Sequence, residues 1–187
     1  MTMENHVPYV DNLLREYLLF RGFTNSLTAF NADAQNDRFD RVHSVVQLIF
    51  HKHLPQLDVD GLMATLALLR DRFFSRLDAS FAVAVARLET SITRLLIVAA
   101  VRQGKHEKIR ELFEKEGERL SATSDEWQAW FAILYVKKPH RDPRFAPYFA
   151  SGWADAVAMS THNFLSEVLN AMPFPALIKF GENQRRR

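Results

Sequence analysis

Seven histidines are the side chains of this sequence best suited to holding a metal or moving a proton near neutral pH. His51 and His53 are two apart, so on a helix they point to nearly opposite sides and cannot share a metal. His43, His106, His140 and His162 are scattered. Asp155, Ser160 and His162 supply the residue types of a hydrolase, but no sharp strand-to-helix turn surrounds the serine. His162 and Asn163 read instead as a buried polar pair between helices, because Phe164 and Leu165 follow directly. The six glycines stand singly, so no loop cradles a phosphate, and nucleotide hydrolysis is not supported. Absence of cysteine removes disulfides, thiolate zinc sites and cysteine nucleophiles together. The expectation is a chain without catalytic, metal or cofactor residues. Trp127, Trp130, Phe145 and Tyr148 form an aromatic cluster with two readings: a partner-binding groove, or core, the commoner fate of such residues. No nucleic-acid motif accompanies Lys137, Lys138, His140 and Arg141.

The elements that must position these residues are all helical in pattern, and no stretch alternates as a strand does. A chain of 187 residues, 48% hydrophobic and 25% charged, supports one sizeable core. The formal net charge is +2, with three arginines gathered at Arg185–Arg187 where a linker would continue. The longest apolar run, Leu95–Val101, is far below the ~20 residues a membrane helix needs, and no signal peptide precedes it, so a soluble protein with no transmembrane segment is expected. Val42, Val45, Val46, Ile49 and Phe50 predict a helix over 42–54 that Pro55 stops. Asp58 is placed to cap the next one, which carries Leu62, Leu66, Leu69 and Phe73 and ends near Leu77. Phe81, Val85, Leu88, Ile92, Leu95 and Ala99 alternate spacings of four and three over 80–103, and Leu96, Ile97 and Val98 make the second half apolar nearly all round, as in a buried central helix. A charged helix follows Gly104, then a short one with Trp127 and Trp130. An irregular passage over 137–147 is broken by Pro139, Pro143 and Pro147, and a last long helix covers 151–172 before Pro173.

The N-terminal stretch has its own signature. Val10, Leu13, Leu14, Tyr17 and Leu18 share a helix face, Gly22 breaks the helix, Thr24 is placed to cap a second one, and Leu27 and Phe30 repeat the apolar spacing. Helices this short are marginal alone, since isolated helices under about 12–15 residues barely form in water. The ordered set Leu13, Leu14, Tyr17, Leu18, Gly22, Phe23, Thr24, Leu27, Phe30 and Asp33 resembles the LisH motif, a helical hairpin that usually dimerises; Ser26 and Leu27 depart mildly from the usual Thr-Ala. The resemblance implies a homodimer with its interface at Leu13, Leu14, Tyr17, Leu18, Phe23, Leu27 and Phe30. The apolar helix over 81–103 offers the hairpin a competing destination within the chain. The helix pair over 41–77 resembles the CTLH-type helices that often follow such a hairpin.

Longer stretches carry a closer likeness. Arg15–Thr24, Phe74–Leu77, Glu126–Phe131, Pro143–Phe149, Trp153–Asp155, His162–Ser166 and Met172–Pro175 are similar to the N-terminal region of the WD repeat-containing protein 91 family, with the armadillo repeat-containing protein 9 of cilia as runner-up. The architecture so implied is all-α: one domain over 1–187, with a LisH hairpin at 9–35, CTLH-like helices at 41–77, an α-solenoid-like array at 79–173 and the start of a linker at 174–187. The family implies a non-enzymatic dimerisation and scaffolding module at the cytosolic face of early and late endosomes. Its implied partners are a companion endosomal WD-repeat protein and the Beclin-containing phosphatidylinositol 3-kinase complex, whose activity the family restrains during early-to-late endosome conversion. The competing reading is a monomeric α-solenoid adaptor that binds a peptide through the 137–147 loop and the nearby Trp127, Trp130, Phe145 and Tyr148.

Overall fold

A computed structural model describes residues 7–35, 41–171 and 177. The polar connector that Asn36, Asp37 and Asp40 predict over 35–40 lies outside the described residues beyond Gln35, as do the stop at Pro173 and Pro175, the linker apart from Leu177, and Arg185–Arg187. Every regular element among the described residues is helical.

The chain divides into two units, one containing the N-terminal helices and the other spanning Arg41–Asn170. In the first, Val7–Phe20 (α1) and Thr24–Gln35 (α2) form a hairpin. Its turn follows from Gly22, whose φ of +70° lets the amide of Phe23 reach the carbonyl of Leu18 (2.9 Å) and that of Gly22 reach Leu19 (3.0 Å). Those two bonds satisfy carbonyls that a helix end otherwise leaves unpaired. Thr24 is the first helical residue and not the expected cap: the carbonyl of Phe23 already accepts from Leu27 (2.9 Å).

The second unit begins with one continuous rod: Arg41–Val46 (α3), a π-helical segment Gln47–His53, and Leu54–Gln56 (α4). Pro55 does not stop this helix, contrary to expectation. Within the wider π ladder the amide of Leu54 bonds to Ile49, five residues back, so the missing N–H of Pro55 falls where the hydrogen-bond register is already relaxed. The rod ends instead at Leu57, in the left-handed region with φ +52°, where the amide of Asp58 reaches His53 (3.0 Å). Leu57 is buried, so its side chain recovers apolar contact against the ~1–2 kcal/mol that left-handed geometry costs.

Asp58 caps Val59–Arg72 (α5) as its position predicts, accepting the Gly61 amide at 2.9 Å. Short 3₁₀ turns at Phe74–Arg76 and Ala79–Phe81 lead into Ala82–Arg102 (α6), which ends at Gly104 with φ +69°. Ile92, Leu95, Leu96, Ile97, Val98 and Ala100 of α6 are all buried, because His106–Thr123 (α7), α4 and the 3₁₀ turn Ala146–Phe149 pack around it. Trp127–Phe131 (α8), two further 3₁₀ turns at Ala132–Tyr135 and Pro139–Arg141, and Trp153–Ala171 (α9) complete the element order.

Candidate interaction sites

The hairpin leaves most of its apolar residues in reach of solvent. Val10 is buried, but no side chain of α2 is. Leu13, Leu14, Leu18, Leu27 and Phe30 are half-buried. Phe20 is 86% exposed, Leu19 63%, Tyr17 49% and Phe23 44%, values far from those of a finished core. Two arginines clasp the aromatic residues. Arg15 donates from Nε to Asn31 Oδ1 (2.8 Å) and from Nη1 to Asn12 Oδ1 (2.9 Å), with its guanidinium 5.2 Å from the Phe30 ring centre. Arg21 donates to the Tyr17 hydroxyl (2.9 Å) and lies 4.9 Å from the Phe23 ring. Such contacts contribute about 0.5–1 kcal/mol each at exposed sites and orient the rings without covering them.

The aromatic cluster takes the other of its two readings. Trp127, Trp130 and Phe145 are buried, and only Tyr148 reaches solvent in part. The expectation that these four form a partner surface fails for the first three, because Phe145 packs edge-on against Trp130 and the two tryptophans enclose a side chain from their own unit. That side chain is Arg94 of α6. Its guanidinium carbon lies 5.5 Å from the Trp127 ring, 5.1 Å from Trp130 and 5.3 Å from Tyr148. It donates to Glu126 Oε2 (2.7 Å) and to the Tyr148 hydroxyl (3.1 Å). Phe145 and Tyr148 meet Trp130 edge-on at 5.3 and 4.9 Å, and Trp153 meets Tyr148 at 5.0 Å. The guanidinium is thus dehydrated on its faces by rings that favour a cation and neutralised at its edge by a carboxylate. Arg94 Nε and Trp127 Nε1 are buried without a protein partner.

A second polar node joins the end of the π-helical segment to α5. The buried His53 ring contacts Asp58 Oδ2 at 2.8 Å through Nδ1, and Thr65 Oγ1 lies 3.2 Å from its Nε2. An ionised carboxylate only accepts, so Nδ1 carries the hydrogen. The Asp58 carboxyl is held below its ordinary value, first by the Gly61 amide and then by His53, against an opposing effect of burial. Gly61 is required by this node, since a Cβ there would collide with Asp58 Oδ2 and the His53 ring.

The remaining candidates do not converge. His51 is exposed while His53 is buried, and Asp155, Ser160 and His162 are all exposed on α9. His162 and Asn163 are exposed as well, correcting their expected burial. Thr161 and Leu165 occupy the inward face of α9, and a step of one or two residues from Thr161 turns a side chain outward. Among the described residues no three His, Asp or Glu side chains are placed to hold a metal ion. Sequence reasoning missed Arg94 and the node of His53, Asp58 and Thr65. Arg94 had a readable signal, an arginine set directly among Ile92, Leu95, Leu96, Ile97 and Val98.

The sequence profile of the family described as "Armc9, CTLH-like domain" matches residues 46–171. The chain is 34% identical to WD repeat-containing protein 91 of Danio rerio over 98% of its length, covering 25% of that protein. It is 36% identical to WD repeat-containing protein 91 of Gallus gallus over 90% of its length, covering 22%. A Dictyostelium discoideum protein named WD repeat-containing protein 91 homolog is 26% identical over 98% of the chain, which covers 28% of it. The chain therefore spans about a quarter of the length of these relatives. No solved structure gives a significant match. No described helix is long and apolar enough to cross a membrane.

Proposed function

The chain belongs to the Armc9 CTLH-like domain family, and from that membership we propose that it is a non-enzymatic self-assembly and scaffolding module of an endosomal WD-repeat protein. The observation that carries the proposal is the half-open hairpin. A helix pair with no buried side chain in α2 and with Tyr17, Leu19, Phe20 and Phe23 facing water has more apolar surface than its own unit covers. A second copy, bringing the same face across a two-fold axis, buries Tyr17 and Phe23 of that surface, with the half-buried leucines beside them, in self-complementary contacts. The proposed interface is Leu13, Leu14, Tyr17, Leu18, Phe23, Leu27 and Phe30.

Likeness to WD repeat-containing protein 91 over 98% of the chain supports the cellular part of the reading. In it the module works at the cytosolic face of early and late endosomes. It assembles there with the companion WD-repeat protein and restrains the Beclin-containing phosphatidylinositol 3-kinase complex. The name of the matched domain keeps a second setting open, the corresponding domain of the ciliary armadillo-repeat protein. The monomeric adaptor reading is weaker, because three of its proposed anchors are buried, Trp127 and Trp130 against Arg94 and Phe145 against Trp130.

The test is Leu14→Asp combined with Leu18→Asp, measured by light scattering with circular dichroism as the control. The expected outcome is a fall from the mass of two chains to that of one, with helix content retained. An unchanged mass in a folded variant overturns the hairpin dimer.

A further inference from the structure

The segment between α8 and α9 displays charge in a fixed frame. Ile133 and Pro139 are buried and pin it at two points. Between and beyond them Tyr135 is 88% exposed, and Lys137, Lys138, His140 and Arg141 all face solvent. The backbone is held by the 3₁₀ turn Pro139–Arg141, in which the Arg141 amide bonds to Lys138 (2.9 Å) and the Asp142 amide to Pro139 (3.1 Å). Asp142, the single acid between Leu134 and Phe149, is taken by Arg144, which donates to both its oxygens (3.0 and 2.7 Å). Among the described residues no ion pair engages Lys105, Lys137, Lys138 or Arg141. A depression of about 350 Å³ lies beside them, lined by Val101, His106, Tyr135, Lys137, Pro139 and His140.

We propose that this surface binds the phosphate groups of an anionic membrane, with Lys137, Lys138 and Arg141 supplying the charge, the His106–His140 depression receiving a headgroup, and Tyr135 resting at the interface. Three features favour a membrane over other polyanions. Lysines are point charges without the planar fork that reads a single phosphorylated side chain, so they suit many phosphates on a fluid surface. The one projecting aromatic residue is a tyrosine, whose apolar ring and polar tip suit the headgroup boundary. Single-stranded nucleic acid calls for a series of stacking rings, and only one is displayed here. The surface lies in the Arg41–Asn170 unit, so the proposal stands independently of the hairpin dimer.

The test is co-sedimentation of the 187-residue chain with vesicles of phosphatidylcholine alone or mixed with phosphatidylserine. Binding is expected only with the anionic lipid, to weaken as salt rises, and to survive Leu14→Asp with Leu18→Asp at lower avidity. Each cation near such a surface contributes roughly a fivefold gain, so Lys137→Gln, Lys138→Gln and Arg141→Gln together should weaken binding on the order of a hundredfold. Tyr135→Ser should weaken it further. Inorganic phosphate at millimolar concentration separates the sources of phosphate: failure to displace the chain supports a surface, and full displacement overturns the membrane in favour of a free ion. No binding to phosphatidylserine vesicles at low salt, or undiminished binding by a triple variant with wild-type circular dichroism, overturns the proposal. So does tighter capture of an oligonucleotide through the same three cations.

Discussion

Asp58 accepts the Gly61 amide with one oxygen and His53 Nδ1–H with the other, so removing it uncaps α5 and strips a buried ring of its partner together. Loss of a cap costs about 0.5–2 kcal/mol. Asp58→Ala should therefore lower stability in urea by about that amount or more, whereas Asp58→Asn keeps a cap and loses less. The direction with pH follows from the depressed carboxyl. Its ionised form is stabilised in the folded chain, so the contribution is complete above the ordinary value of 3.8 and is lost as pH falls through the lower folded value. The gap between wild type and Asp58→Asn should be steady near neutrality and close below about pH 4. The cap was legible because capping is local: Asp58 stands directly before a helical apolar pattern. Its bond to His53 depends on the left-handed turn at Leu57, and nothing about a leucine announces that conformation.

At the scale of elements, α6 is organised by a residue that breaks its own pattern. Arg94 bonds to Glu126, 32 residues on, and to Tyr148, 54 residues on, and so ties α6 to the start of α8 and to the turn that precedes α9. Replacement by lysine keeps the charge but loses the planar group that lies between three rings and reaches two partners. Arg94→Lys should cost about 1–3 kcal/mol in thermal or urea unfolding and alter tryptophan fluorescence, while Glu126→Gln, at a carboxylate 71% exposed, should cost much less. Residues of α6 at spacings of three and four announce a central helix because that regularity is local. The box around Arg94 was not legible for the opposite reason. Aromatic side chains at 127, 130, 145 and 148 state how much apolar surface is available, but not whether it encloses a neighbour or meets a partner. The same limit explains His162 and Asn163, whose apolar successors Phe164 and Leu165 lie on a different face of α9.

For the whole molecule, the division into two units predicts two kinds of stability. If the hairpin closes on a second copy, its folding is coupled to concentration by mass action, whereas that of Arg41–Asn170 is not. Thermal melts over a hundredfold range of concentration should move a hairpin transition and leave the tryptophan-reported transition in place; all three tryptophans lie in the second unit. The π-helical stretch Gln47–His53 has a different bearing, on chain length. A π turn is in effect one residue more than an α-helix would use over the same rise, so the rod already holds an insertion that most helices cannot absorb. Deleting one residue there would restore a regular α ladder and leave Arg41–Val46 facing as it does, because the wider turn had already absorbed the extra residue. It would also return Pro55 to a ladder in which its missing N–H matters. The start of this unit is thus a place where the loss of a single codon removes a bulge while leaving every side chain of the core beyond Leu57 with its own identity.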